Sequence, residues 1–312
     1  MKAPIIYFVI PCYNESDCLQ ETKHRLEQKL SELVRKKEIS EKSKVVFIDD
    51  GSKDDTWEQI EQSDKRVVGI KLSRNCGHQN ALMAGLLYAK DYCDAAISMD
   101  ADLQDSIEAI DAFITKFKAG AEVIYGVRSS RKTDSFFKRN TALAFYRLMN
   151  FLGTNTVYNH ADYRLLSQRA LEELANYREI NLFLRGIIPT LGFNTATVEY
   201  ERAERFAGES KYPLRKMLNF AVDGITSFSI KPIRLVFLCG VSTVFVALVL
   251  LCGLIIAITI FKYVVFGWLF VLDAVLGLGG VQLIALGIIG EYVGKTYIEV
   301  KARPRFIIEK IK

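Results

Sequence analysis

The stretch AAISMDADLQD, residues 95–105, begins apolar and ends acidic. Read as a buried strand over 95–102, it leaves a core and delivers Asp100 and Asp102 two residues apart. On extended backbone such a pair falls on one face. Two hard carboxylates converging on one point suit Mg2+ or Mn2+, which keep coordination positions open for diphosphate oxygens. Gln104 can add an amide oxygen. A solvated acidic turn is the plain alternative, because Asp-x-Asp is a short motif that also arises by chance.

Working outward, four more apolar runs read as strands: IIYFVI (5–10), KVVFIDD (44–50), VVGIKL (67–72) and AEVIYGV (121–127). Helical patterns separate them. Leu19, Leu26, Leu30 and Leu33 trace one helical face, and Ile107, Ile110, Ile114 and Phe117 another, opened by Ser106 as N-cap. This alternation predicts an α/β domain with a Rossmann-like, mostly parallel sheet covered on both faces. In such sheets ligands bind beyond the carboxyl ends of the strands. The polar residues collect there: Pro11-Cys12-Tyr13-Asn14-Glu15, Asp49-Asp50-Gly51-Ser52, Ser73-Arg74-Asn75 and Asp100-Ala101-Asp102. The glycine fingerprints of nucleotide loops, Gly-x-Gly-x-x-Gly after the first strand and Gly-Lys-Ser/Thr, are both missing.

The 312 residues carry 41 Lys+Arg against 36 Asp+Glu, and half are hydrophobic. That length needs no disulfide staples, and the apolar content excludes disorder. The apolar residues are unevenly placed. Residues 235–261 hold no charge, and 263–290 hold only Asp273. Each run exceeds the roughly 20 residues that cross a hydrocarbon core of about 30 Å, so two transmembrane helices are expected at about 235–261 and 267–290. Lys211, Arg215, Lys216, Lys231 and Arg234 precede the pair; Lys295, Lys301, Arg303, Arg305, Lys310 and Lys312 follow it; the connection offers Lys262 alone. The asymmetry places the soluble domain and both termini in the cytoplasm.

The expected organisation is a catalytic domain over 1–211, an amphipathic interfacial helix region over 212–231, the hairpin within 232–292 and a cytoplasmic tail over 293–312. In the interfacial region Leu214, Leu218, Val222 and Ile225 share a stripe between Pro213 and Pro232. Six cysteines show no metal or redox spacing and read as reduced thiols. A net charge of +5 is too mild and dispersed to argue for nucleic acid. Gly277, Gly279, Gly280 and Gly287 would let helices of different copies pack closely, so a homo-oligomer is compatible with the sequence.

The ordered set IPCYNES, FIDDGSKDDT, SRNCGHQNAL, SMDADLQD and YGVRSSR resembles family-2 glycosyltransferases of the GT-A fold. The branch it is most similar to contains dolichol-phosphate mannose synthases and bacterial undecaprenyl-phosphate glucosyltransferases, and the resemblance spans about 1–230. It implies inverting transfer of a sugar, glucose by default, from a nucleotide sugar such as UDP-glucose to a polyprenyl phosphate at the cytoplasmic face of a bacterial plasma membrane. Pro11, Tyr13 and Glu15 match the family's nucleoside segment and Asp50 its base- or ribose-contacting aspartate. Asp100, Ala101, Asp102 and Gln104 match its diphosphate and metal motif. Asp49 is left out, because alternation points it to the other sheet face.

A phosphate acceptor changes what the site must do. Its second pKa is near 6, so it is largely ionised at neutral pH and need not lose a proton during attack. Holding a dianion beside an anionic donor asks for cations, arginine above all. The resemblance puts acceptor-phosphate contacts at Arg128 and Arg139 and a mobile loop over the donor at Arg205, Ser210 and Lys211. Asp162 matches an Asp-Phe-Arg-Leu segment, with Tyr163 in place of Phe. It is expected to orient Arg164 and sugar hydroxyls or, alternatively, to act as a base. Arg131 and Lys138 read as a solvated helix face or lipid-headgroup contacts ahead of any catalytic role, and His78 and His160 as structural or solvent-facing. A processive polysaccharide synthase is the rival enzyme, but its Gln-x-x-Arg-Trp motif is missing, and Trp57 and Trp268 lie elsewhere. A non-catalytic nucleotide-sugar-binding membrane protein is the rival outside enzymes.

Overall fold

The computed structural model describes residues 3–128, 160–180, 182–201, 231–260 and 267–312. The first strands follow the apolar runs: β1 (Ile6–Cys12), β2 (Lys44–Asp49), β3 (Val67–Leu72), β4 (Ala95–Ser98) and β5 (Val123–Arg128). The helices between them are α1 (Ser16–Arg35), α2 (Thr56–Glu61), α3 (His78–Ala89) and α4 (Ala109–Lys118). Leu19, Leu26, Leu30 and Leu33 are buried on α1, as their spacing requires, and pack with Phe8, Ile10 and Phe47. Helix α3 covers the opposite face, where a Cβ on Gly85 would meet Ile48 and Val9 at 2.5 Å.

Helix α4 begins at Ala109 rather than after Ser106. Glu108 takes the N-cap position without a side-chain cap. The Ser106 carbonyl instead accepts from the Ala109 amide at 3.2 Å and the Tyr163 hydroxyl at 3.0 Å.

After β5 come β6 (His160–Ser167), α5 (Gln168–Leu174), α6 (Leu184–Thr190) and β7 (Thr195–Tyr200). Two long helices follow, α7 (Lys231–Ile260) and α8 (Gly267–Lys301), then β8 (Ile308–Ile311). The sheet order is β7-β5-β6-β4-β1-β2-β3-β8, with β6 and β8 running against the other strands. Thus the expected mostly parallel sheet forms, but β4 and β5 are separated by β6. That antiparallel strand starts where β4 ends and lays Asp162 beside Asp100.

The segment 293–312, expected as a tail, is divided between the end of α8 and β8. Strand β8 pairs with β3 through Ile70 opposite Ile311 and Lys71 opposite Lys310. Gly69 and Lys312 exchange backbone hydrogen bonds of 3.2 and 2.8 Å, and the Ser73 amide donates to Ile307 at 3.0 Å. The described residues up to 201, together with 303–312, form one compact unit, and α7 with α8 belongs to a second. Among the described residues one segment, Gly277–Lys301, is long and apolar enough to cross a membrane. The spans expected at about 235–261 and 267–290 fall on α7 and α8, and the second helix supplies the one that qualifies among the described residues. The interfacial helix expected over 212–231 lies, but for Lys231, outside the described residues.

One turn fixes the site locally. Gly51 follows β2 at φ +68°, and a Cβ there would lie 2.7 Å from backbone atoms of Arg74 and Asn75. Left-handed backbone costs an L-residue about 1–2 kcal/mol before any clash is counted. Gly51→Ala is therefore expected to lower stability by roughly 2–3 kcal/mol, read as a fall in the thermal unfolding midpoint of the purified protein.

Candidate active site

The carboxyl ends of β1, β2 and β4 meet the first residues of β6 along one edge of the sheet. At β1, Pro11 lies within the buried strand, while Tyr13 is 40% exposed. Asn14 turns at φ 52°, its amide donating to Ser52 Oγ at 3.0 Å and its side-chain oxygen accepting from the Lys53 amide at 2.9 Å. The Glu15 amide donates to Thr56 Oγ1 at 3.0 Å, and its carboxylate accepts from the Cys18 thiol at 3.3 Å. The Asn14 and Glu15 bonds tie the β1 loop to the β2 loop.

Asp50 is buried, and its two oxygens accept the Cys76 and Gly77 amides at 2.7 and 2.9 Å. Burial raises its pKa, and those two amides pull it back. Hydrogen bonds to a charged group are worth about 1.5–3 kcal/mol each, so Asp50 holds the loop after β3 in place and sets where α3 begins. Asp49 lies fully buried with Oδ1 accepting from the Ser52 amide at 3.0 Å.

The acidic turn differs from its expected form. Strand β4 ends at Ser98, so Asp100 and Asp102 sit on a turn rather than on extended backbone, with Leu103 at φ 56°. Asp102 Oδ1 accepts from the Gln104 amide at 3.2 Å. Ala101 is buried and its carbonyl accepts from Thr22 Oγ1 at 2.7 Å, which anchors the turn on α1. Among the described residues no group of three or more His, Cys, Asp or Glu side chains gathers as a metal cluster. The donor set of Asp100, Asp102 and Gln104 is all oxygen, the set that Mg2+ and Mn2+ prefer when phosphate oxygens complete the shell.

Asp162 is held by two arginines. It pairs with the fully buried Arg164 and accepts two hydrogen bonds from Arg185, Nε to Oδ1 at 3.2 Å and Nη2 to Oδ2 at 3.1 Å. Burial pushes its pKa up, but Arg185 and Arg164 outweigh burial and hold it well below the usual carboxylate range. His78, the first residue of α3, places Nε2 3.7 Å from both Asp100 and Asp162. The helix thus delivers a ring that sequence reading left as structural or solvent-facing.

Arg128 ends β5 beside the same turn. Burial works against its charge, yet a hydrogen bond to Tyr200 and the nearby Asp105 and Asp100 carboxylates raise its pKa overall. Asp105 is buried, and burial followed by Asp100 lifts its pKa to about 6. Arg131, Lys138, Arg139, Arg205, Ser210 and Lys211 lie outside the described residues. Sequence reading missed His78, Asp105, Arg185 and Tyr200. Only Asp105 carried a signal, as the last acid of DADLQD.

The model of glycosyl transferase family 2 matches residues 7–175. The chain belongs to that family. It is a glycosyltransferase with a GT-A-like α/β fold. It is 52% identical to the uncharacterized glycosyltransferase YkoT of Bacillus subtilis (strain 168), over 98% of this chain and 91% of that protein. It is 40% identical to the prophage bactoprenol glucosyl transferase homolog of Escherichia coli (strain K12), over 98% and 99%. The bactoprenol glucosyl transferase of Shigella phage SfII is 41% identical, over 98% and 97%.

Proposed function

We propose that this glycosyltransferase moves glucose from a nucleotide diphosphate donor, UDP-glucose, to a polyprenyl phosphate at a membrane face. The observation that carries this reading is end-to-end likeness, at 40–41% identity, to proteins named bactoprenol glucosyl transferase. The site supports it chemically. A phosphate oxygen attacks the anomeric carbon, the bond from that carbon to the donor's β-phosphate breaks, and the nucleoside diphosphate leaves with the electron pair. No proton has to move, because the acceptor is already ionised.

Asp162 fits that economy. A base works best with a pKa near the operating pH, whereas two arginines keep this carboxylate ionised and occupied. Its role in the proposal is to position Arg164 and Arg185 rather than to take a proton. Pro11, Tyr13 and Glu15 line the nucleoside side, with Asp50 fixing the adjoining loop. Arg128 receives the acceptor phosphate, joined by Arg139, Arg205, Ser210 and Lys211. Asp100, Asp102 and Gln104 would hold Mg2+ or Mn2+, which offsets charge on a departing diphosphate. Helices α7 and α8 anchor the chain in the bilayer, with the catalytic domain and both termini cytoplasmic.

The test uses full-length protein in detergent with labelled UDP-glucose, Mn2+ and undecaprenyl phosphate. Label is expected in the lipid extract only when all three and the enzyme are present, with one UDP released per glucose transferred. Release of UDP that ignores undecaprenyl phosphate would overturn the reading.

A further inference from the structure

Strands β5 and β7 run parallel with Arg128 opposite Tyr200, at the ends of both. The Tyr200 ring is buried and packs edge-on against Tyr163 at 5.2 Å, and Tyr163 in turn meets Phe113 at 4.6 Å. The ring is therefore held by the core. Its hydroxyl donates to Asp105 Oδ1 at 2.6 Å, across 95 positions of sequence, and accepts from the Arg128 guanidinium. A phenol has one hydrogen to donate and lone pairs to accept with. The order Arg128 to Tyr200 to Asp105 therefore satisfies it in one orientation. Asp105 Oδ2 is buried and has no hydrogen-bond partner among the described residues.

A guanidinium next to a buried carboxylate is drawn into a direct ion pair with it. A hydroxyl on a rigid ring, bonded to both, gives the guanidinium a partner of fixed position and limits how its fork can turn. We propose that Tyr200 is a positioning residue: with Asp105 behind it, it aims Arg128 at the acceptor phosphate and stops the arginine from collapsing onto the acidic turn. This inference rests on the reading of Arg128 as an acceptor contact.

The experiment is a cycle of Tyr200→Phe and Arg128→Ala in the full-length protein, with UDP-glucose and undecaprenyl phosphate varied separately. Tyr200→Phe keeps the ring and removes the hydroxyl. It is expected to raise the KM for undecaprenyl phosphate about tenfold, the worth of a hydrogen bond to a charged group, and to leave the KM for UDP-glucose within about twofold. In the Arg128→Ala background the same change is expected to have no further effect on acceptor KM, because its target is gone. Equal effects in both backgrounds, or a lowered unfolding midpoint with acceptor KM unmoved, would overturn the positioning role while wild-type transfer stood. Wild-type protein with no acceptor-dependent transfer would overturn the underlying reading and this inference together.

Discussion

Asp102→Asn is expected to reduce glucosyl transfer by roughly a thousandfold or more while leaving the protein folded. The asparagine oxygen can still accept from the Gln104 amide, as Asp102 Oδ1 does at 3.2 Å, so the turn after β4 keeps its shape. What disappears is one of two negative charges on an all-oxygen donor set. Several kcal/mol of charge stabilisation separate a neutralised from an exposed departing diphosphate, and each 1.36 kcal/mol is a decade in rate. The measurement is initial rate against Mn2+ concentration for wild type and variant, with UDP affinity followed alongside. Near-normal rates across the metal range would remove Asp102 from the role proposed for it.

The second large effect falls on stability. Asp162→Asn keeps the volume of the side chain but leaves Arg164, fully buried, facing a neutral amide, and weakens the two-point grip on Arg185. Breaking one partner out of a buried ion pair costs about 3–5 kcal/mol, because the remaining charge stays desolvated. The purified variant is expected to unfold at markedly lower temperature or denaturant than wild type. The pH dependence has a definite sign. The Asp162 pKa is depressed in the folded protein, so its stabilisation is complete above the unfolded carboxylate value near 3.9 and is lost as pH falls through the lower folded value. Neutral-pH stability should be insensitive to this group, and the stability gap between wild type and Asp162→Asn should narrow only in strong acid. A gap that closed between pH 6 and 8 would contradict the pairing.

Much of the core was legible because β1, β2 and β3 are buried on both faces and read as unbroken apolar runs. Their ends, and the polar residues gathered there, followed from the parallel arrangement. Strand β4 reads too long in sequence because Met99 and Ala101 are buried without being strand, so apolar character persists into the turn. Strand β6 was hidden for a different reason. It buries Asp162 and Arg164 among Tyr163, Leu165 and Leu166, so a charge pair interrupts the pattern that marks a strand. Strand β8 presents four exposed residues and has no apolar face to advertise it.

The site divides along the same line. Asp100, Asp102 and Asp50 sit at strand ends and could be found by position. His78, Arg185 and Tyr200 reach the acidic residues across tens of positions, through helix starts and a neighbouring strand that only the folded sheet brings close. Local spacing carries no information about such partners.

The return of the chain to pair with β3 matters for anyone seeking a detergent-free enzyme. A stop codon ahead of the long helices would amputate the outermost strand as well, leaving raw amide and carbonyl groups along β3 open to pairing with a neighbouring molecule. Splicing out the two helices and rejoining the chain through a short flexible bridge to residue 303 keeps that border hemmed. The protein is better regarded as a catalytic body with two long helices inserted than as one with a helical appendage hung from its end.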